Sequence, residues 1–294
     1  MQGTSRVRLY KTRLVRELFI RTADENYIVA RWCAFEGFHT DFFWLAVHAV
    51  EKYMKAVLLL NGRSSKPYKH DIVRLYANVS EIAAELLPVQ LLQPTKLNIG
   101  RWRTRTAAEF VSWLDQNGNP DNRYATYGYV AQAQDVHMLD QLVFALRRLG
   151  CELEGAVFAD ASCTTATKTY RTLLAEQPSW LNSLDMPLDR LIDEQIYTAR
   201  RHAALNLNLS FAPPDFVHQG ARSRSMSRNP VICWGLIEPL ESDDRDFVAD
   251  NIEVAEWLLE NIQVPKGKSN DPGVREQIKD AIKSAREKHG LHKT

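Results

Sequence analysis

The most regular apolar pattern in the chain falls between residues 40 and 60. Phe43, Ala46, Val47, Val50, Met54, Val57 and Leu58 recur at spacings of three and four, the period of one helix face. Thr40 is a suitable N-cap, and Gly62, after Asn61, a suitable stop. Upstream, Thr22-Ala-Asp-Glu25 reads as a capping box that opens a helix to about Phe35. A third helix begins near Asp71 and breaks around residues 78–80, with a short helix at 81–87 before Pro88. Thr106-Ala-Ala-Glu109 reads as a second capping box, and Asn117-Gly-Asn-Pro120 as a turn. A long helix from about 130 to 148 closes at Gly150.

The second half is less regular. Helical patterns return near 168–176, 187–204, 243–262 and 272–289. Residues 161–168 and 206–230 read as loops, and few strands are expected, at most a hairpin within 206–237. Residues 1–20 alternate basic and apolar side chains and are expected to form a surface helix docked on the rest. The fold class is therefore all-α.

The helix at 40–60 has a chemical peculiarity. His48, Lys52 and Lys55 are spaced four and three apart, so they share a side of an otherwise apolar helix. Two ammonium groups in one stripe repel unless an anion is near. Glu51 supplies one carboxylate, and a bound phosphate would supply more charge; the plain alternative is a salt-bridged helix edge.

The run from Ala49 to Ala56, Ala-Val-Glu-Lys-Tyr-Met-Lys-Ala, is followed by Asn61-Gly62 and then by His70-Asp71-Ile72 with Leu75. This order resembles the HEPN domain, and Asn122-Arg123-Tyr124 is similar to an Arg-Tyr element found late in many members. The likeness spans roughly residues 20–150. It implies an up-and-down helical bundle, usually paired into a dimer, here with a C-terminal helical extension. The expected organisation is a basic segment at 1–20, the HEPN-like bundle at 21–150, a helical extension with a Ser/Arg loop at 151–265, and a basic helix and tail at 266–294. It also implies one of three functions: a nucleotide- or nucleic-acid-binding module, a metal-independent RNase toxin, or a non-catalytic interaction subunit. The first is the preferred expectation, in a bacterial stress or defence system.

Candidate residues follow. HEPN RNases use an Arg and a His four to six residues apart, and Arg63 and His70 meet that spacing with six residues between them. The His would move a proton and the Arg would stabilise charge on phosphate. His70 at a helix start has a plain structural alternative, bonding to backbone or to Asp71. A phosphate site would combine His48, Lys52 and Lys55 with Arg123 and Tyr124. Arg101, Trp102, Arg103 and Arg105 form a basic strip around an indole, suited to phosphates and a stacked base. The Ser/Arg stretch at 222–228 is a second candidate for nucleic-acid contact; its plain alternative is a solvated loop that the acidic residues of 238–260 neutralise.

Composition narrows the rest. Lys and Arg total 37 against 36 Asp and Glu, so any nucleic-acid binding must use local patches rather than the whole-molecule field. The four cysteines lack paired spacing and are expected as reduced thiols of a cytoplasmic protein. Asp185, Asp189, Asp193 and Glu194 sit near a helix start, where acids favour the macrodipole; no metal and no cofactor is expected. The longest apolar run, around 42–50, is too short to span a bilayer. Trp32, Phe35, Phe38, Phe42, Phe43 and Trp44 crowd one helix junction, so some are expected to face a second copy or the C-terminal half; a homodimer is the expectation, and a protein partner is a further one.

Overall fold

The structure is a computed structural model that describes residues 11–97, 99–122, 128–157, 168–196, 198–211, 224–226, 232–261 and 273–291. The chain forms two compact units, one from residues 1–118 with 132–223, the other from 119–131 with 224–294. Helices dominate both, and the all-α class expected from the sequence holds.

In the first unit, residues 11–15 are already helical and run through a π-turn, Arg16–Ile20, into α1, Arg21–Glu36. Thr22 therefore caps nothing: its hydroxyl donates back to the carbonyl of Leu18 at 2.8 Å, inside a continuous helix. Gly37 ends α1 in the left-handed conformation, φ +79°, which an L side chain would find strained. α2, His39–Leu60, follows with Phe38 rather than Thr40 at its N-cap. It is the central helix and packs against α1, α3 (Ile72–Ala83), α4 (Ala107–Asn117) and α5 (Gln134–Arg148). All seven apolar residues of its predicted stripe are buried.

The other boundaries have local causes. Asp71 caps α3 by accepting from the Arg74 N–H at 2.9 Å. No break occurs at 78–80: Asn78 stays helical, donates to the Arg74 carbonyl at 2.9 Å and accepts from the Tyr68 hydroxyl at 2.7 Å. β1 (Gln90–Leu91) pairs antiparallel with β2 (Arg105–Thr106). Thr106 then opens α4 with the predicted capping box, accepting from Glu109 N–H at 3.1 Å while Glu109 accepts from Thr106 N–H at 2.7 Å.

α5 has almost no solvent face. Asp135, His137, Asp140, Arg147 and Arg148 are buried beside its apolar residues. Arg147 joins Asp24 of α1 at 3.0 Å and Asp189 at 2.7 Å. Asp140 binds Arg31 at 2.8 Å and accepts from the Tyr27 hydroxyl at 2.6 Å. The segment after α5 carries a small pair, Ala156–Val157 with Lys168–Thr169, and then α6 (Tyr170–Glu176), α7 (Pro187–Ile192) and α8 (Thr198–Leu205). Of these, α7 and α8 pack against α1. Leu188 N–H donates to Asp24, and Arg31 donates to the carbonyls of Ala204 and Asn206. The helical extension up to residue 211 thus belongs to the same unit as the bundle.

The second unit pairs Tyr129–Ala131 with Arg224–Met226, a long-range ladder where a local hairpin was expected. Its core is Leu236, Leu240, Val248, Ile252, Ala255, Ile278, Ile282 and Ala285, from a short turn region, α9 (Arg245–Asn261) and α10 (Gly273–His289). The acidic α9 finds its counter-charge in the basic α10, with Glu256 3.0 Å from Arg286. Within the described residues no helix is long and apolar enough to cross a membrane.

Candidate functional site

The stripe on α2 divides once its neighbours are in place. Glu51 is the hub: its side chain is 6% exposed, and Lys55 one turn away lies 2.6 Å from it. His70, from the loop beyond α2, brings Nδ1 to 3.1 Å of Glu51 Oε1 and 3.2 Å of Oε2. His48 Nδ1 stands 4.0 Å away, with its ring edge-on to Trp44 at 4.4 Å. Lys52 turns to the other side. It donates to Asn26 Oδ1 at 2.5 Å and to the Thr22 carbonyl at 3.4 Å, and burial pushes its ammonium below the usual lysine range. Lys52 is thus a half-buried brace between α2 and α1, apart from the cluster of His48, Lys55 and His70.

The loop from Gly62 to His70 is shaped by its ends. Gly62 is left-handed, φ +77°, and Arg63 N–H closes back on the Leu58 carbonyl at 2.8 Å, a helix stop that favours glycine. Asn61 holds the turn against the segment after α5: its amide donates to the Cys151 carbonyl at 3.1 Å and accepts from Leu153 N–H at 2.9 Å. At the far end, Tyr68 is tied to Asn78, and its ring lies under the Arg74 guanidinium at 5.6 Å. Between Tyr68 and His70, Lys69 holds φ +45°, a conformation that costs a non-glycine residue about 1–3 kcal/mol and persists only when its surroundings fix it.

The result is a basic surface. Lys66, Lys69 and Arg74 are exposed, and 80% of the His70 side chain is exposed although Nδ1 is anchored. Arg63 points its charge at Glu81, 2.7 Å away, so Arg63 and His70 answer to different carboxylates. With Glu51 ionised, the proton of a neutral His70 sits on Nδ1 and the acceptor lone pair on Nε2. The arrangement suits an anion approaching from solvent: one buried carboxylate fixes two cationic or protonatable groups, and three exposed cations lie on the same loop and the helix that follows it.

The strip at 101–105 is also split. Arg101 and Arg103 are exposed. The backbone beneath them is pinned, because Gln134 both donates to the Arg103 carbonyl at 2.8 Å and accepts from its N–H at 2.6 Å. The Trp102 indole donates to the Leu91 carbonyl at 3.2 Å. Arg105 leaves the strip: it is 6% exposed, pairs with Asp135 at 3.1 Å and lies over the Trp113 ring at 4.3 Å. Arg123 and Tyr124 lie outside the described residues, as do most residues of the Ser/Arg segment at 222–228. Among the described residues no group of three His, Cys, Asp or Glu side chains is arranged to hold a metal ion. Asp185 pairs with Arg190 and Asp189 with Arg147.

Sequence reasoning did not single out Lys66, Lys69, Tyr68 and Arg74 as a group. Their signal was present in the alternation of basic residues around one tyrosine between Arg63 and Arg74. In comparisons with known proteins, no curated protein and no solved structure matches the chain. A family model does, over residues 16–117, about a third of the chain, covering α1 to α4, the Glu51 cluster and the basic loop. That match and the all-helical architecture agree, and residues 16–117 are a HEPN domain.

Proposed function

We propose that the protein is a nucleotide- or nucleic-acid-binding module that grips phosphate with the loop at 62–70. The observation that carries this reading is the seating of Lys55 and His70 on the buried Glu51, beside the exposed Lys66, Lys69 and Arg74. A buried carboxylate orients its two partners at little further entropic cost, and the three outer cations contact a phosphate chain. Arg101 and Arg103 offer a second basic contact on the same unit, with Trp102 beside them. The direct test is the material that co-purifies. An absorbance ratio raised at 260 nm and abolished by ribonuclease supports the reading. Nucleic-acid-free protein that also fails to bind added RNA or nucleotide removes it.

A homodimer fits the exposed apolar face of α1 and its following turn. Val29, Trp32 and Phe38 are 45%, 47% and 49% exposed, with the Trp32 and Phe38 rings in contact at 5.6 Å. Side chains of this size on one face mark an association surface. The family likeness is the sole support for a setting in stress or defence.

The RNase reading has one observation in its favour, the exposed imidazole of His70 held by a carboxylate at Nδ1, which suits a general acid or base. The ion pair of Arg63 with Glu81 weighs against it, since that guanidinium would have to exchange partners to reach a phosphate. If the reading is right, cleavage of RNA needs no metal, survives chelator and is lost in His70→Ala.

A further inference from the structure

A cavity of about 350 Å³ opens in the first unit between the turn after α3, α5 and α6. Leu86, Leu87, Pro88, Phe144, Leu174 and Pro178 give it mainly apolar walls. Two charged residues line it, Glu85 and Arg148. Glu85 is paired with Arg171. Arg148 is 7% exposed, and among the described residues it has no carboxylate partner. Its Nε donates to the Trp180 carbonyl at 2.8 Å, and Nη2 donates to the carbonyls of Leu174 at 2.7 Å and Gln177 at 2.9 Å. The guanidinium stands 5.7 Å from the centre of the Phe144 ring. Nη1 carries no hydrogen bond among the described contacts.

This charge is incompletely answered. The Leu174 and Gln177 carbonyls belong to the end of α6, where backbone dipoles carry only partial negative charge. Burial pushes the Arg148 guanidinium below the usual arginine range, and no carboxylate counters it. Three of the buried guanidiniums, Arg31, Arg105 and Arg147, each have an aspartate. Leaving a desolvated cation without its counter-ion is costly unless a ligand supplies one.

We propose that this cavity binds a small apolar carboxylate, with its head on Nη1 of Arg148 and its hydrocarbon body against Leu86, Leu87, Phe144 and Leu174. The volume lies at the lower end of the range usual for small-molecule sites, roughly 300–1,000 Å³. A planar guanidinium with one nitrogen free matches a carboxylate in shape as well as charge. The site is separate from the basic loop and does not depend on it.

The test is a calorimetric titration of the full chain with octanoate and, in parallel, octan-1-ol, which has the same body and no charge. Octanoate is expected to bind at least about tenfold tighter than the alcohol, a difference of about 1.4 kcal/mol. Arg148→Gln should abolish that preference. Arg148 also supports three carbonyls, so a second variant guards against misfolding: Ala175→Trp, at an exposed lining position, should block octanoate while the melting temperature stays near wild type. Absence of octanoate binding, equal binding of acid and alcohol, or unchanged octanoate affinity in Ala175→Trp overturns the proposal.

Discussion

Arg31 and Asp140 face each other across the first unit at 2.8 Å, with side chains 1% and 3% exposed. One belongs to the HEPN domain and the other to the helix after it. The same guanidinium reaches on to the carbonyls of Ala204 at 3.0 Å and Asn206 at 2.6 Å, so one side chain joins three stretches of chain. Removing one member of such a pair leaves the other buried and uncompensated. Arg31→Met is expected to cost about 3–5 kcal/mol in urea unfolding, while Arg31→Met with Asp140→Leu should recover part of that loss. A cost below about 1 kcal/mol for the single variant would show that the pair is not what holds the extension to α1.

Asp135 gives a pH dependence with a definite sign. Burial raises its carboxyl to about 6 from 3.8, outweighing the bonds from Gln132 N–H and Arg105. The native state therefore holds the proton more tightly than the unfolded chain. This contribution is fully present below about pH 4, declines as pH rises through about 6, and is flat above. Relative to Asp135→Asn, the wild type should lose about 3 kcal/mol between pH 4 and pH 7, seen as converging or crossing denaturation curves. Parallel curves across that range would contradict the assignment.

Gly118 marks a close approach of backbones. A Cβ there would lie 2.5 Å from the Phe43 carbonyl oxygen and 2.5 Å from Val47 Cγ2. One of these atoms belongs to the backbone of α2 and cannot rotate aside. Gly118→Ala is expected to destabilise by about 1–3 kcal/mol, read as a lowered melting temperature, even though alanine normally favours the folded state over glycine. An unchanged or raised melting temperature would show that α4 and α2 have room to separate.

Much of this architecture is legible in the residues. The three-and-four spacing of α2 gives the central helix because its apolar face is wholly buried. Thr106 with Glu109, and Asp71 before Ile72, mark helix starts through bonds made within a few residues. Thr22 with Glu25 has the same local form and fails, since residues 11–20 are already helical and leave no free N–H groups to cap. Long-range partners are the other blind spot. Lys55 and Glu51, one turn apart, are a readable local pair, but nothing in the local pattern of α2 says that Lys52 faces Asn26, or that Arg105 turns inward to Asp135 beside the exposed Arg103. The alternation of Asp140 and Arg147 with leucines in α5 resembles a half-solvated helix; its buried charges find partners more than a hundred residues away, in Arg31 and Asp24.

The claim that matters most is that the loop at 62–70 binds phosphate. It is tested by fluorescence polarisation of a labelled single-stranded RNA with the wild type and with Lys66→Glu/Lys69→Glu, at low and at physiological salt. Both lysines are exposed, so folding should be little affected, with the melting temperature within a few degrees of wild type. The expected result is binding that weakens as salt rises and falls by about tenfold or more in the double variant. Binding equal in both proteins, or no salt-sensitive binding by the wild type, would contradict the account.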